Sequence, residues 1–190
     1  IIIINNLIFS PLIIFFRILK KKEDKKRYKE KFCFPSKKRI SGNLIWFHGS
    51  SVGELLSILP LVQELEKNKS INQILITTST LSSAQIFKKF NFKKTVHQFF
   101  PIDSIFFSYK FLNYWKPTIA IFIESEIWPS IFKIINNLRK SGKGIIYISI
   151  QTKSYLTGVG ANIHDQSRFY APIAFLKSLS KRIVFADYRK

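Results

Sequence analysis

Leu44-Ile45-Trp46-Phe47-His48-Gly49-Ser50-Ser51-Val52-Gly53-Glu54-Leu55-Leu56 is the stretch on which the fold turns. Its first five residues are a short apolar run without alternation, bounded by Gly42 and Gly49, which predicts a strand buried on both faces. From Val52 the period changes. Leu55, Leu56, Leu59, Val62 and Leu65 recur at helical spacing, so a helix is predicted over Val52 to about Asn68. Strand, tight Gly/Ser turn and helix in immediate succession form the repeating unit of an α/β fold.

Working outward, the unit repeats. Gln73–Thr78 (QILITT) reads as a second strand, followed by a Ser/Thr turn and a helix ending near Phe90. Thr95–Phe99 is a short third strand, and Ser104–Trp115 an amphipathic helix stopped by Pro117. Thr118–Glu124 (TIAIFIE) is the next strand, Trp128–Lys140 the next helix, ended by Ser141-Gly142, and Gly144–Ile150 (GIIYISI) another strand. A loop, a helix over 167–180 and an apolar run at Arg182–Ala186 complete the pattern. Strands alternating with such helices predict a parallel sheet covered on both faces and joined by right-handed crossovers. Functional groups then belong at the carboxyl ends of the strands.

The 190 residues suffice for one well-packed domain, and a 46% hydrophobic share with 19 Phe excludes a disordered chain. The chain contains no Met and opens on Ile1, which points to a piece of a longer gene product. The lone Cys33 allows no internal disulfide and gives no sign of an oxidising compartment. The formal net charge of +20 is partly a matter of Lys-, Ile-, Asn- and Phe-rich composition, but its distribution is uneven. Residues 1–16, IIIINNLIFSPLIIFF, are apolar, and RILKKKEDKKRYKEKFCFPSKKR follows from Arg17 to Arg39. A secretory signal has its positive charge before the apolar run. The reversed order here predicts a membrane-anchor or interfacial helix that keeps the remainder cytoplasmic, with the basic block drawn to an anionic membrane surface. No nucleic-acid motif accompanies the charge, so no nucleic-acid partner is expected. Residues 1–39 are therefore read as anchor and basic linker, and residues 40–190 as the α/β domain.

Two motifs carry chemistry. His48-Gly49-Ser50-Ser51-Val52-Gly53-Glu54 lies where the first strand turns into the first helix, and its small residues let backbone N–H groups approach a ligand. It has neither the G-x-G-x-x-G spacing of a dinucleotide fingerprint nor the Gly-Lys-Ser/Thr of a P-loop. Glu54 read alone is a first-turn carboxylate complementing the helix dipole. Glu124-Ser125-Glu126-Ile127-Trp128-Pro129 again follows a strand into a helix, and read alone is N-terminal acidity plus a helix-starting proline. Together the motifs put Glu54 and Glu124 at the same end of one sheet. A neighbouring carboxylate and partial burial raise proton affinity while a helix dipole lowers it, which is the tuning a general base requires.

A strand–H-x-S-S/A-V-G-E–helix followed about seventy residues later by strand–E-x-E-x-W-P–helix resembles the N-terminal domain of the 3-deoxy-D-manno-octulosonic acid (Kdo) transferases. Ile76-Thr77-Thr78-Ser79-Thr80, Pro101-Ile102-Asp103 and the apolar-then-basic opening are similar too, so the likeness runs from roughly residue 7 to 150. It implies half of a two-domain GT-B glycosyltransferase, with an active-site cleft between two Rossmann-like halves. The N-terminal half would hold the lipid A precursor, and a C-terminal half, not within these residues, would hold CMP-Kdo. Glu54 matches the family's general base and Glu124 its second essential carboxylate. Ser50, Ser51, Gly53 and Glu126 match surrounding substrate-binding positions. No metal or cofactor is implied, and His48, His97 and His164 form no spaced ligand set. The expected setting is the cytoplasmic face of the inner membrane, in lipopolysaccharide core synthesis. After Ile148 the family runs into an Asn-Ala-Arg-like segment, whereas this chain has Ser149-Ile150-Gln151-Thr152-Lys153-Ser154 and an unmatched Gly158-Val159-Gly160. Another envelope GT-B transferase, or a non-catalytic membrane-bound α/β module, are the competing expectations.

Overall fold

The computed structural model describes residues 12–123, 128–140 and the strand at 146–150, with side-chain surroundings up to Leu138. The predicted helix over 167–180, the run Arg182–Ala186 and the carboxylates Glu124 and Glu126 lie outside the described residues.

Among the described residues, five strands alternate with four helices: β1 Leu44–His48, α1 Val52–Glu66, β2 Gln73–Thr78, α2 Leu81–Phe87, β3 Thr95–Phe99, α3 Ile105–Trp115, β4 Ile119–Ile123, α4 Pro129–Lys140 and β5 Ile146–Ile150. All pairings are parallel and the sheet order is β3-β2-β1-β4-β5. The sequence boundaries are met within a few residues. The largest difference is α2, which stops at Phe87 and passes through turns to Phe90, where a longer helix was expected.

The two faces of the sheet separate by strand alternation. Ile45 and Phe47, Ile74 and Ile76, and Ile119, Ile121 and Ile123 meet the apolar stripe of α1. Leu44, Trp46, Leu75, Ala120 and Phe122 meet α3, α4 and Cys33 on the other face. Full burial of each such side chain contributes roughly 1.5–3 kcal/mol, which is why uninterrupted apolar strands give a doubly covered sheet. The turns follow one rule. Ser51, Thr80 and Ser104 each cap the next helix, accepting from the N–H of Glu54, Ser83 and Phe107. Gly42 leads into β1 at φ +102, where a Cβ would sit 2.3 Å from the Asn72 side chain.

The basic segment, expected as a linker ahead of the domain, is in large part built into it. Tyr28–Phe32 forms one turn of 3-10 helix, ended by Cys33 in a left-handed conformation. Glu30 is 1% exposed and accepts from Arg27 Nε (2.8 Å) and Nη2 (2.9 Å), from Ser36 Oγ, and from the Phe99 N–H (2.8 Å) at the end of β3. Arg27 Nη2 also donates to the His97 carbonyl (2.7 Å). Ile102 N–H donates to the Lys31 carbonyl (3.0 Å), and the Cys33 thiol, pushed by burial up to about 12, donates to the Phe107 carbonyl. Arg39 Nε donates to the Trp115 carbonyl at the C-terminus of α3. The strap formed by residues 23–39 thus starts at the carboxyl ends of β2 and β3 and crosses to the amino end of β2, where Gln73 Nε2 donates to the Lys38 carbonyl. Among the described residues, no helix is long and apolar enough to cross a membrane.

Candidate active site

The order β3-β2-β1-β4-β5 reverses direction between β1 and β4, and an open α/β sheet has its crevice at the carboxyl side of such a switch. His48, the last residue of β1, is in register with Phe122, one residue before the end of β4. The loops that follow these strands are the two motifs. Parallel pairing therefore sets side by side the strand ends that lead into them, although these are about seventy residues apart in sequence.

The first motif is described completely. Gly49 N–H donates to the Thr77 carbonyl (3.1 Å), and a Cβ at Gly49 would lie 3.0 Å from Glu54 Cβ, so a larger residue would press on the folded-back glutamate. Glu54 Oε2 accepts from the Ser50 N–H (2.8 Å) and Oε1 from the Ser51 hydroxyl (2.7 Å), while Ser51 Oγ accepts from the Glu54 N–H (3.3 Å). This is a variant of the capping box, with the carboxylate reaching one residue beyond the cap. Its half-buried carboxylate is held in place, and each oxygen keeps a lone pair able to accept a proton. Ser50 Oγ lies 3.3 Å from Ser79 Oγ, on the loop after β2. At Gly53 a Cβ would meet nothing closer than Ser51 Oγ at 4.0 Å. The local backbone does not need glycine there, and the first turn of α1 is left bare on its outer side.

Beneath the motif His48 is fully buried. Its Nδ1 lies 3.0 Å from Thr77 Oγ1 and 3.2 Å from the Thr77 carbonyl, which calls for a proton on Nδ1. Its ring stacks on Phe100 at 3.8 Å and meets Trp128 edge-on at 5.7 Å; Phe100 and Trp128 are 4.5 Å apart. His48, Phe100 and Trp128 form an aromatic floor shared by both motifs. Asp103 Oδ1 accepts from the Ser130 N–H (3.2 Å), fixing the first turn of α4. His97 is neutral: burial first, then Arg27 and Lys88, push it down to about 3. Its Nε2 lies 2.9 Å from Thr78 Oγ1, so it is structural.

The structure thus brings Ser50, Ser51, Gly53 and Glu54 into one corner and adds Ser79, which the sequence reading left unassigned. The signal for Ser79 was its place one residue past the carboxyl end of β2. Among the described residues no group of His, Cys, Asp and Glu is arranged to hold a metal.

Fold and corner define one class: a parallel α/β domain with a capped carboxylate at its switch-point crevice. A family model described as 3-deoxy-D-manno-octulosonic-acid transferase (kdotransferase) matches residues 26–152. A 3-deoxy-D-manno-octulosonic acid transferase of Rickettsia bellii is 45% identical over 118 residues, covering 62% of this chain and 28% of the relative. Its namesake in Rickettsia typhi is 38% identical over 146 residues (76% and 29%), and that of Haemophilus influenzae 27% over 148 residues (70% and 35%). The chain belongs to the Kdo transferase family. It spans about a third of the length of these relatives.

Proposed function

We propose that this chain is the acceptor-side half of a glycosyltransferase that moves Kdo from CMP-Kdo to a lipid A precursor during lipopolysaccharide synthesis. Glu54 is the general base and Glu124 the second carboxylate; Ser50, Ser51, Gly53 and Glu126 line the acceptor site. The observation that carries this reading is the pairing of β1 with β4, which sets the Glu54 loop beside the strand leading to Glu124. As the acceptor hydroxyl attacks the anomeric carbon, its proton passes to Glu54 while the bond from that carbon to the phosphate oxygen breaks and CMP leaves. The Ser50 N–H and Ser51 O–H hold the carboxylate still, so little reorganisation is required at the moment of transfer. The bare turn at Gly53 admits the acceptor close to the helix. The domain is Rossmann-like, and the donor nucleotide would sit on the second half of a GT-B pair.

The test is Glu54→Gln in the whole transferase. It keeps the shape and loses the base, and turnover is expected to fall by about 10² to 10⁴ with acceptor affinity little changed. Glu124→Gln should be severely impaired. Glu64→Gln, at an exposed position paired with Lys67, is the control. Near-normal turnover in Glu54→Gln would leave Glu54 a capping residue and no more.

The protein works at the cytoplasmic face of the inner membrane, in this reading, through its apolar N-terminus and the lysines that follow. Residues 12–19 are helical, and Leu12, Ile13, Phe15, Phe16 and Leu19 are all exposed, with Lys20, Lys21, Lys22, Lys25 and Lys26 next in the chain. Such a face lies in an anionic interface, insertion of its apolar side resisting salt and its charge attraction yielding to it. Flotation with liposomes should be lost on deleting residues 1–22. That cut spares the strap, whereas removing 1–39 would take Glu30 out of the domain. Equal flotation of the shortened chain would discard the anchor.

A further inference from the structure

The helical stretch at 12–19 buries Ile14, at 6% exposed, while its five exposed apolar neighbours range from 49% to 61%. What fixes its direction is a buried ion cluster. Glu23 is 4% exposed, and its Oε1 accepts from both Arg17 Nε (2.7 Å), on the helix, and Lys31 Nζ (2.6 Å), on the strap. Lys31 Nζ also lies 3.5 Å from the Ser79 carbonyl, and its own carbonyl accepts from the Ile102 N–H. Ser79 in turn meets Ser50, whose N–H holds Glu54. One carboxylate oxygen therefore joins helix, strap and the carboxyl rim of the sheet. Two cations on one buried oxygen are a poor choice for stability alone, since an apolar cluster of the same volume would serve as well. They are a good choice for fixing an angle, because hydrogen-bonded ion pairs are directional.

We propose that Glu23 is a positioning residue: it locks the apolar helix to the rim of the sheet, so that on a bilayer the helix and the Ser50–Glu54 corner move as one body. The inference rests on the membrane reading above and deepens it. An acceptor whose acyl chains stay in the bilayer presents its sugar at a fixed height, and a swinging anchor would spread the corner over many heights. A locked one keeps the corner at the height of the sugar.

The test uses the 190-residue chain labelled with a fluorophore at Ser82→Cys, an exposed site just past the rim, the buried Cys33 staying unlabelled. Energy transfer to acceptor dye in vesicles of phosphatidylethanolamine and phosphatidylglycerol is read as the donor lifetime at saturating lipid. The unsubstituted background should give one lifetime. Arg17→Gln, which frees the helix and leaves the Glu23–Lys31 pair in place, should give a broad, shifted distribution, and Glu23→Gln the same. Lys20→Gln removes an equal charge nearby and should keep the single lifetime. Arg17 is half exposed, so Arg17→Gln should unfold at the same denaturant concentration as the background, separating orientation from stability. An unchanged lifetime in Arg17→Gln overturns the proposal. So does loss of vesicle binding in Arg17→Gln but not Lys20→Gln, which would make Arg17 a head-group contact. If the background does not bind vesicles at all, the membrane reading fails and the lock has no function.

Discussion

Glu66, at the last position of α1, shows how a residue without a motif becomes structural. On spacing alone it looks like a solvent-facing carboxylate far from the crevice, an inert position for control substitutions. In the structure it accepts from the Lys93 N–H (2.9 Å), the Lys94 N–H (2.8 Å) and Thr95 Oγ1 (2.7 Å), so it fastens the loop that enters β3. Burial pulls its pKa up, but the hydrogen bonds from Thr95, Lys93 and Lys94 outweigh that and hold it below the ordinary carboxylate value. A depressed pKa gives stability that is present above the ordinary value of 4.5 and is lost as pH falls through the folded one. His97 acts over a wider window. Held neutral down to about 3 against an ordinary 6.5, it makes the unfolded chain bind a proton first, and stability falls with pH between those values. Urea unfolding from pH 7 to pH 3 should show both. Glu66→Gln should cost about 1–2 kcal/mol at pH 7 and flatten only the part of the curve below about pH 4.5, leaving the His97 part intact. An unchanged profile in Glu66→Gln would mean the loop bonds carry no net energy.

Among the elements, the strap departs furthest from the sequence reading. The strands and helices are legible because their signals are local: short apolar runs such as LIWFH mark the strands, and apolar residues at helical spacing mark the helices after them. A run of lysines and arginines has no period. Nothing in KKKEDKKRYKEK separates Arg27 and Lys31, which turn inward, from Lys25 and Lys26, which stay in water. What decides is where Glu23 and Glu30 fall, and the partners of Glu30, Arg27 and Lys31 at Phe99, His97 and Ser79 are some fifty to seventy residues away. The same limit applied at the site. Spacing put Glu54 at a helix start, and the choice between cap and base needed the resemblance, because both roles want a carboxylate in the first turn. Glu30→Gln should show that the strap belongs to the domain. It leaves Arg27 beside a neutral partner in a buried position, a loss of about 3 kcal/mol in denaturant unfolding, where a true linker would show no change.

At the scale of the molecule, the described residues form one wall of a crevice. The corner at Ser50–Glu54 offers a carboxylate and hydroxyls. If these residues hold the acceptor side alone, calorimetry on the chain should detect no appreciable binding of CMP or CMP-Kdo, and the chain should transfer no sugar. Clear nucleotide binding would reassign the half. The family pattern was readable from roughly residue 7 to 150 because it lies in short loops at strand ends, where geometry restricts residue choice most. The rest of the surface leaves no such trace in one sequence.

The strand order has a consequence for how this chain comes into being. β1 is made first and stands at the centre, but its two neighbours arrive at different times: β2 begins at Gln73, 25 residues past the end of β1, and β4 at Ile119, after two further helices and a strand. While a ribosome is still reading the codons between them, β1, β2 and β3 can pair, and the other edge of β1 has no strand beside it. Leu44, Ile45, Trp46 and Phe47, fully buried in the finished sheet, border that edge. Distant pairings of this kind close slowly and expose sticky intermediates. The arrangement that sets the ends of β1 and β4 side by side therefore also leaves the newborn chain with an unpaired apolar edge until Ile119–Ile123 emerges.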